Sequence, residues 1–265
     1  MRIIFYEFKT DLLRTFRYKF SIVSDIVVFT VLLSFFFISD TGTSLENKYN
    51  SNNQRTLLLL GYAAWSLSVS CISLVGGQIS SEMSRGTLYQ KLNCKIPLQI
   101  LYLGDLFSGI LIQFVIMIIY AVIAYFVFSV ELFFSLNVFL ALIICTIGMY
   151  GIGLIIAGLS IFFKKTGAII LLIQLTLLFI TDTIPTNDTL LRVTNIIPLT
   201  KCNDIIRKDF VGQPVGDSFI QLILLSIGAF VIGYIVFSCF LSLAKKEGIC
   251  FFIRRIIKNS QIGKF

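Results

Sequence analysis

The sequence predicts an all-α, polytopic membrane protein with six transmembrane helices. Three observations predict it: an excess of apolar residues, their grouping in long unbroken runs, and a segregation of basic residues into alternate loops between those runs. Of 265 residues, 57% are hydrophobic and 14% charged, against about 45–50% and about 25% in a soluble domain. One water-soluble core cannot enclose that much apolar surface, so the excess faces lipid. The runs are continuous rather than alternating, and in lipid such a run satisfies its backbone as a helix.

Crossing about 30 Å of hydrocarbon takes roughly 20 apolar residues in helical form. Runs of this kind occupy 20–38, 57–79, 103–130, 132–163, 167–180 and 219–244. The third and fourth are long enough to tilt or to extend past the bilayer. The fifth is short and stops sharply at Thr181-Asp182. Residues 1–19 read as an amphipathic interfacial helix, with Ile4, Phe5, Phe8, Leu12 and Phe16 on one arc and Glu7, Thr10, Arg14 and Arg17 opposite. The first run is read as a span rather than a cleavable signal peptide, because this basic segment precedes it and no small-x-small site closes it. Lys245 and Lys246 mark the exit of the last span, and 245–265 is expected to form a basic cytoplasmic tail with a second interfacial helix. The chain 1–265 is thus read as a single transmembrane domain.

Orientation follows from charge. The segments 1–19, 80–102, 164–165 and 245–265 hold 16 Lys and Arg, and the alternate segments hold six. The positive-inside rule then places both termini in the cytoplasm. The net charge of +8 reflects this topology and contact with an anionic inner leaflet, not nucleic-acid binding, since the basic residues are spread over four loops. The abundance of Ile, Phe, Lys and Asn points to an AT-rich bacterial genome, hence to a bacterial plasma membrane.

Several chemistries are excluded. There is no histidine, and none of the six cysteines forms a CxxC pair, so no metal site or redox motif is expected. No convincing carboxylate pair is present, and no catalytic residue is assigned. None of the 18 glycines opens a GxxxxGK[ST] phosphate loop, so the chain does not bind and hydrolyse ATP in that manner. Gly148, Gly151, Gly153 and Gly158 in the fourth run, with Gly228 and Gly233 in the last, read as close helix packing. Gln113 and Gln174 read as interhelical hydrogen-bond formers, and Asp105 as interfacial. Asp25 lies inside the first run, where a carboxylate is a functional candidate by default. Phe29, Phe36 and Trp65 join it as candidates to line or gate a path, with lipid contact as the plainer reading of each aromatic residue.

The most informative loop follows the second run. It holds Glu82, Arg85, Gly86, Thr87, Leu88, Leu92 and Pro97. Ser80 or Ser81 could cap a short helix with Glu82 near its positive end, and Leu88 and Leu92 would give it an apolar stripe. Such a helix, over about 80–96 and ended by Pro97, suits docking into a groove of a soluble partner.

This string resembles the pattern of ABC-2 type permeases: a glutamate, three residues, Gly-Thr-Leu, then a leucine and a proline. A second stretch, Ile197-Pro198-Leu199-Thr200 with Asp204 and Arg207, is similar to the family's Asn-Pro-Leu-Thr motif before the last span, with Ile197 in place of Asn. The resemblance covers nearly the whole chain. It implies a type V exporter-like frame with an amino-terminal connecting helix, a cytoplasmic coupling helix that fits a cleft on an ATPase subunit, and short external helices before the last span. It also implies partners: a separate P-loop ATPase subunit in two copies carrying ATP and Mg, and a second permease half, identical or homologous. The expected function is that of an exporter's membrane subunit, with a hydrophobic or amphiphilic cargo such as a peptide, drug or lipid-linked compound. Against it stand an ion-coupled secondary transporter, which would show inverted repeats and several midplane charges, a membrane-embedded enzyme, which would need polar catalytic residues at membrane depth, and a permease-like sensor.

Overall fold

A computed structural model describes residues 2–17, 19–39, 42–51, 53–92, 97–163 and 167–246. Among these residues the chain is helical, without strands. The helices are α1 (Arg2–Arg17), α2 (Lys19–Ile38), α3 (Thr43–Tyr49), α4 (Gln54–Arg85), α5 (Leu88–Leu92), α6 (Leu98–Phe128), α7 (Leu136–Phe163), α8 (Gly167–Ile180), α9 (Asp188–Thr194), α10 (Pro198–Val211) and α11 (Gly216–Lys246).

All six predicted runs are helical, but they are unequal as spans. α4, α6, α7 and α11 are each long and apolar enough to cross a membrane, and α1 and α2, bent by 76°, are so only when taken together, as a broken span or a re-entrant pair. α8 has 14 residues, about 21 Å of helix, which is short of the hydrocarbon thickness. Two boundaries move. The third and fourth runs are not separated by a tight turn: α6 stops at Phe128 with Ser129 in the left-handed conformation at φ 53°, and α7 begins at Leu136. The second run extends past its predicted end, because α4 continues through Ser80, Ser81 and Glu82 to Arg85. The tail from 247 to 265 lies outside the described residues.

α4 and α7 form the centre. The most apolar stretch of α4 is 78% buried inside the chain, whereas that of α11 is 22% buried and that of α6 33%. α6 and α11 therefore leave most of their apolar surface on the outside of the chain. Glycines let α7 sit against both neighbours. A Cβ on Gly151 would lie 2.4 Å from the Ala229 carbonyl oxygen of α11, and one on Gly233 2.1 Å from the Gly151 oxygen. On its other side, a Cβ on Gly153 would lie 3.1 Å from the Cys71 oxygen of α4. The packing role expected of these glycines is seen, except at Gly228, which faces open space.

α1 is amphipathic as predicted, and the strip where its two faces meet, with Glu7, Phe8, Asp11 and Leu12, turns toward the bundle, while Thr10, Arg14 and Arg17 stay exposed. Ser108 of α6 donates to Asp11 Oδ2 at 2.5 Å, and Glu7 is within 3.7 Å of Lys91 of α5. Phe5 and Phe16 stay exposed. Asp105, expected at the membrane interface, is buried in α6, and both of its carboxylate oxygens lack a hydrogen-bond partner among the described residues. Gln174 donates to Ser73 of α4, as expected of an interhelical bond, but the buried Gln113 Nε2 has no partner among the described residues.

Candidate functional site

The α4–α5 elbow carries the first group of sequence candidates. Gly86 ends α4 at φ 73°, a left-handed conformation that glycine adopts without a Cβ penalty. Its N–H donates to the Met83 oxygen and the Thr87 N–H to the Glu82 oxygen at 3.0 Å, the paired bonds of a Schellman motif. This corrects the predicted cap. Ser80 and Ser81 lie inside the last turns of α4, so Glu82 sits near the negative end of one helix rather than the positive end of another. The separate short helix is α5, and 93–96 lie outside the described residues.

Glu82 does not face solvent. It is 5% exposed, and its carboxylate is held from three sides. Tyr102 of α6 donates its hydroxyl to Oε2 at 2.6 Å, Lys91 Nζ reaches Oε1 at 2.7 Å, and Gln78 Nε2 reaches Oε1 at 3.3 Å. Lys91 also lies over the Tyr102 ring at 5.3 Å. Burial alone would lower the Lys91 pKa, but the hydrogen bond and charge of Glu82, with Glu7 and Asp105 beside it, outweigh burial and raise it. The ammonium therefore stays charged. The sequence reading missed Lys91, Tyr102 and Gln78. Gln78 lies one turn before Glu82 and was findable from the i, i+4 spacing, whereas Lys91 and Tyr102 arrive through chain reversal and carry no such signal.

Around this pin the surface is open. Arg85, Gly86, Thr87 and Pro97 are exposed, Leu88 is buried under the elbow, and Leu92 closes α5. A polar groove of about 420 Å³ runs between α1 and the elbow, bordered by Tyr6, Arg14, Gln78, Arg85 and Thr87.

The second group gathers at the opposite end of α4, around Arg207. Pro198 takes the first turn of α10, where its missing N–H costs nothing, and Leu199 is buried. Ile197 at the N-cap gives no side-chain hydrogen bond. Arg207 is 0% exposed. Its Nε donates to the Leu57 oxygen at 3.1 Å, Nη1 to Asp182 Oδ2 at 3.1 Å and Nη2 to the Thr183 oxygen at 3.0 Å. Asp182, itself in the left-handed region at φ 57°, also takes Lys48 Nζ at 2.7 Å. Asp204 lies on a more open face, bonded to Lys208, Tyr49 and Ser218. Burial raises the Tyr49 pKa, and the charges of Asp204 and Asp182 add to that against the opposing Arg207. Gly61 was not flagged from sequence, yet a Cβ there would lie 2.4 Å from Arg207 Nη2.

The four path candidates separate. Asp25 is exposed on α2. Phe29, Phe36 and Trp65 pack in one aromatic cluster around Tyr62, with ring centroids 6.2, 6.3 and 5.3 Å from it. Trp65 Nε1 donates to the Gln174 oxygen of α8 at 3.1 Å, and Tyr62 to the Phe29 oxygen at 2.9 Å. In the single chain these rings join α2, α4, α6 and α8. Among the described residues no cluster of three metal-ligating side chains occurs.

A comparison with curated proteins gives no match. The family model described as ABC-2 type transporter matches residues 3–211, from α1 through the end of α10. That stretch holds both the α4–α5 elbow and the Arg207 cluster, and it covers most of a chain whose helices are built to cross a membrane repeatedly. The chain belongs to the ABC-2 type transporter family, as a multi-pass permease component that works with an ATPase subunit.

Proposed function

We propose that this permease is one half of the membrane path of an ATP-driven exporter, paired with a second identical or homologous half and driven by two copies of a separate P-loop ATPase that carries ATP and Mg. The α4–α5 elbow carries the reading. Arg85, Gly86 and Thr87 form an exposed knuckle, and Glu82 behind it ties the knuckle to Lys91 of α5, to Tyr102 of α6 and, through Lys91, to Glu7 of α1. A push from an ATPase cleft would reach three membrane-associated helices through one buried carboxylate. In this role the exposed residues dock, and Glu82 transmits. The spans then exchange inward- and outward-open populations, which requires a driver that binds the two states unequally.

The Lys and Arg distribution supports a cytoplasmic elbow, with both termini on the same side and the Arg207 cluster outside. Composition supports a bacterial plasma membrane. The apolar exposed faces of α2 and α8, with Asp25 on the former, support a hydrophobic or amphiphilic cargo passing where two halves meet. The test is affinity purification of the full chain from its host in mild detergent, followed by mass spectrometry. A P-loop ATPase should accompany the wild type in stoichiometric amount and be lost from an Arg85→Glu, Thr87→Asp variant, which changes only exposed side chains. Absence of any ATPase from intact complexes overturns the exporter reading in favour of an ion-coupled transporter or a sensor.

A further inference from the structure

Two cavities lie side by side at the end of the bundle that holds Arg207, and they differ in chemistry. One, of about 240 Å³, is almost wholly apolar and lies between α4, α6 and α7, with Met117, Tyr120, Ala121, Val138 and Leu142 in its wall. The other, of about 310 Å³, is polar and includes Glu46, Gln54, Arg55 and Glu131. Glu131 borders both.

Their order along α6 matches the order of a membrane. Arg55 opens α4 and donates to the Phe128 oxygen at 3.0 Å, where α6 ends. The polar cavity therefore sits at the helix ends, at headgroup level. The apolar cavity reaches from Ala121 to Phe114, about 10 to 21 Å further in along α6. Its rim includes the exposed Ile118, Phe134 and Phe139, so it opens toward lipid rather than water. Apolar cavities do not hold water, and 240 Å³ equals the share of roughly eight liquid waters, enough for a segment of an acyl chain.

The polar cavity sets the headgroup. Arg55 offers a guanidinium suited to a phosphate, and Glu131 and Glu46 offer two carboxylates. Glu131 Oε2 takes a bond from Asn53 at 2.7 Å, and Glu46 Oε1 from the Gln54 N–H at 3.3 Å. One cation and two anions leave an excess negative charge, which disfavours an anionic lipid and favours one that brings an ammonium.

We propose that the paired cavities bind a bilayer phospholipid whose headgroup carries both phosphate and an ammonium, with the phosphate at Arg55, the ammonium at Glu131 and Glu46, and one acyl chain in the α4–α6–α7 cavity. The site is complete within one chain and does not rest on the transport reading.

The test uses the full chain in detergent with equimolar 1-palmitoyl-2-oleoyl phosphatidylethanolamine and the matching phosphatidylglycerol, read by native mass spectrometry. The wild type should retain the ethanolamine lipid about fivefold over the glycerol lipid, the scale of one exposed ion pair. Glu131→Arg, an exposed change, should invert the preference, and Ala121→Phe, which fills the apolar cavity, should abolish retention of both. Equal retention of the two lipids by the wild type, retention of neither, or a preference unmoved by Glu131→Arg overturns the proposal. Should Ala121→Phe fail to fold, the Glu131→Arg result still decides.

Discussion

Gly61→Ala sets two physical effects against each other. Position 61 lies inside α4, and alanine is a better helix former than glycine by about 1 kcal/mol. Propensity alone therefore predicts a more stable protein. The Arg207 guanidinium predicts the reverse. The new Cβ would lie 2.4 Å from Nη2 and 3.2 Å from Cζ, so the side chain must move. Arg207 is fully buried and makes three directed bonds, to Leu57, Asp182 and Thr183. Overpacking a tight site costs about 1–3 kcal/mol, and losing a buried charge pair costs about 3–5 kcal/mol. A partial shift of the guanidinium falls between, and after the propensity gain the expected net loss is about 2–3 kcal/mol. Reversible denaturant unfolding in mixed micelles would measure it. The same change in an Arg207→Met background should cost less than about 1 kcal/mol or become stabilising, because the clash and the charge are both gone. An equal cost in both backgrounds, or a gain in the wild-type background, would refute the steric and ionic account of this end of α4.

Gly86→Ala forces an L side chain into φ 73° and should cost about 1–2 kcal/mol in the same unfolding assay, with Gly86→Asn milder; an unchanged midpoint for the alanine variant would count against the Schellman turn. Glu82→Ala and Lys91→Ala, combined in a double-mutant cycle, should show a coupling energy of about 1–3 kcal/mol, since the 2.7 Å pair is mostly buried; additivity would mean that the pair does not form. Gly233→Ala should destabilise by about 1–3 kcal/mol and lengthen the α7–α11 separation seen by spin-label distances, because its Cβ would meet the Gly151 backbone, which cannot swing aside as a side chain can. Asp105→Leu should stabilise by about 1–3 kcal/mol, because both carboxylate oxygens are buried without partners among the described residues; a loss of similar size would show that a group beyond those residues satisfies them.

The helices were legible because lipid makes hydropathy a direct readout of backbone state. Their ends were less so. The run 57–79 stops where apolar residues stop, yet α4 continues to Arg85, because Ser80, Ser81 and Glu82 are tolerable helix residues and only Gly86 supplies an ending. A hydropathy scan sees the membrane boundary, not the helix boundary. The elbow residues were found by pattern, but their roles were not. Glu82 reads as an acid in the first turn of a short surface helix, and nothing local shows that Tyr102 and Lys91 close over it. Arg207 is the same case at the other end. Its partners Asp182 and Thr183 lie 25 and 24 residues before it and Leu57 150 before it, so the burial of a charge expected among short external helices became visible only in three dimensions.

Those two buried charges give α4 a particular mechanical position. Leu57, whose carbonyl holds Arg207, and Glu82, which pins the elbow, are on one unbroken helix, about 37 Å apart at 1.5 Å per residue. α4 is also the most enclosed of the spanning helices, at 78% in its apolar stretch. A rod gripped along its length, pinned at one end by the Glu82 ion pair and at the other by the Arg207 bond to the Leu57 carbonyl, transmits displacement rather than absorbing it by bending, since packed interiors are not continuously deformable. In the proposed exporter, ATPase movement at Arg85 and Thr87 would therefore be felt at Asp182 and Lys48 without any change in α4 itself. The consequence is specific. Arg207→Met should leave ATPase binding at the elbow intact while uncoupling hydrolysis from transport, whereas Glu82→Ala should weaken both. Equal loss of ATPase binding in the two variants, measured by the same affinity purification, would mean that the two ends are joined only through global stability and not through α4 as a rigid element.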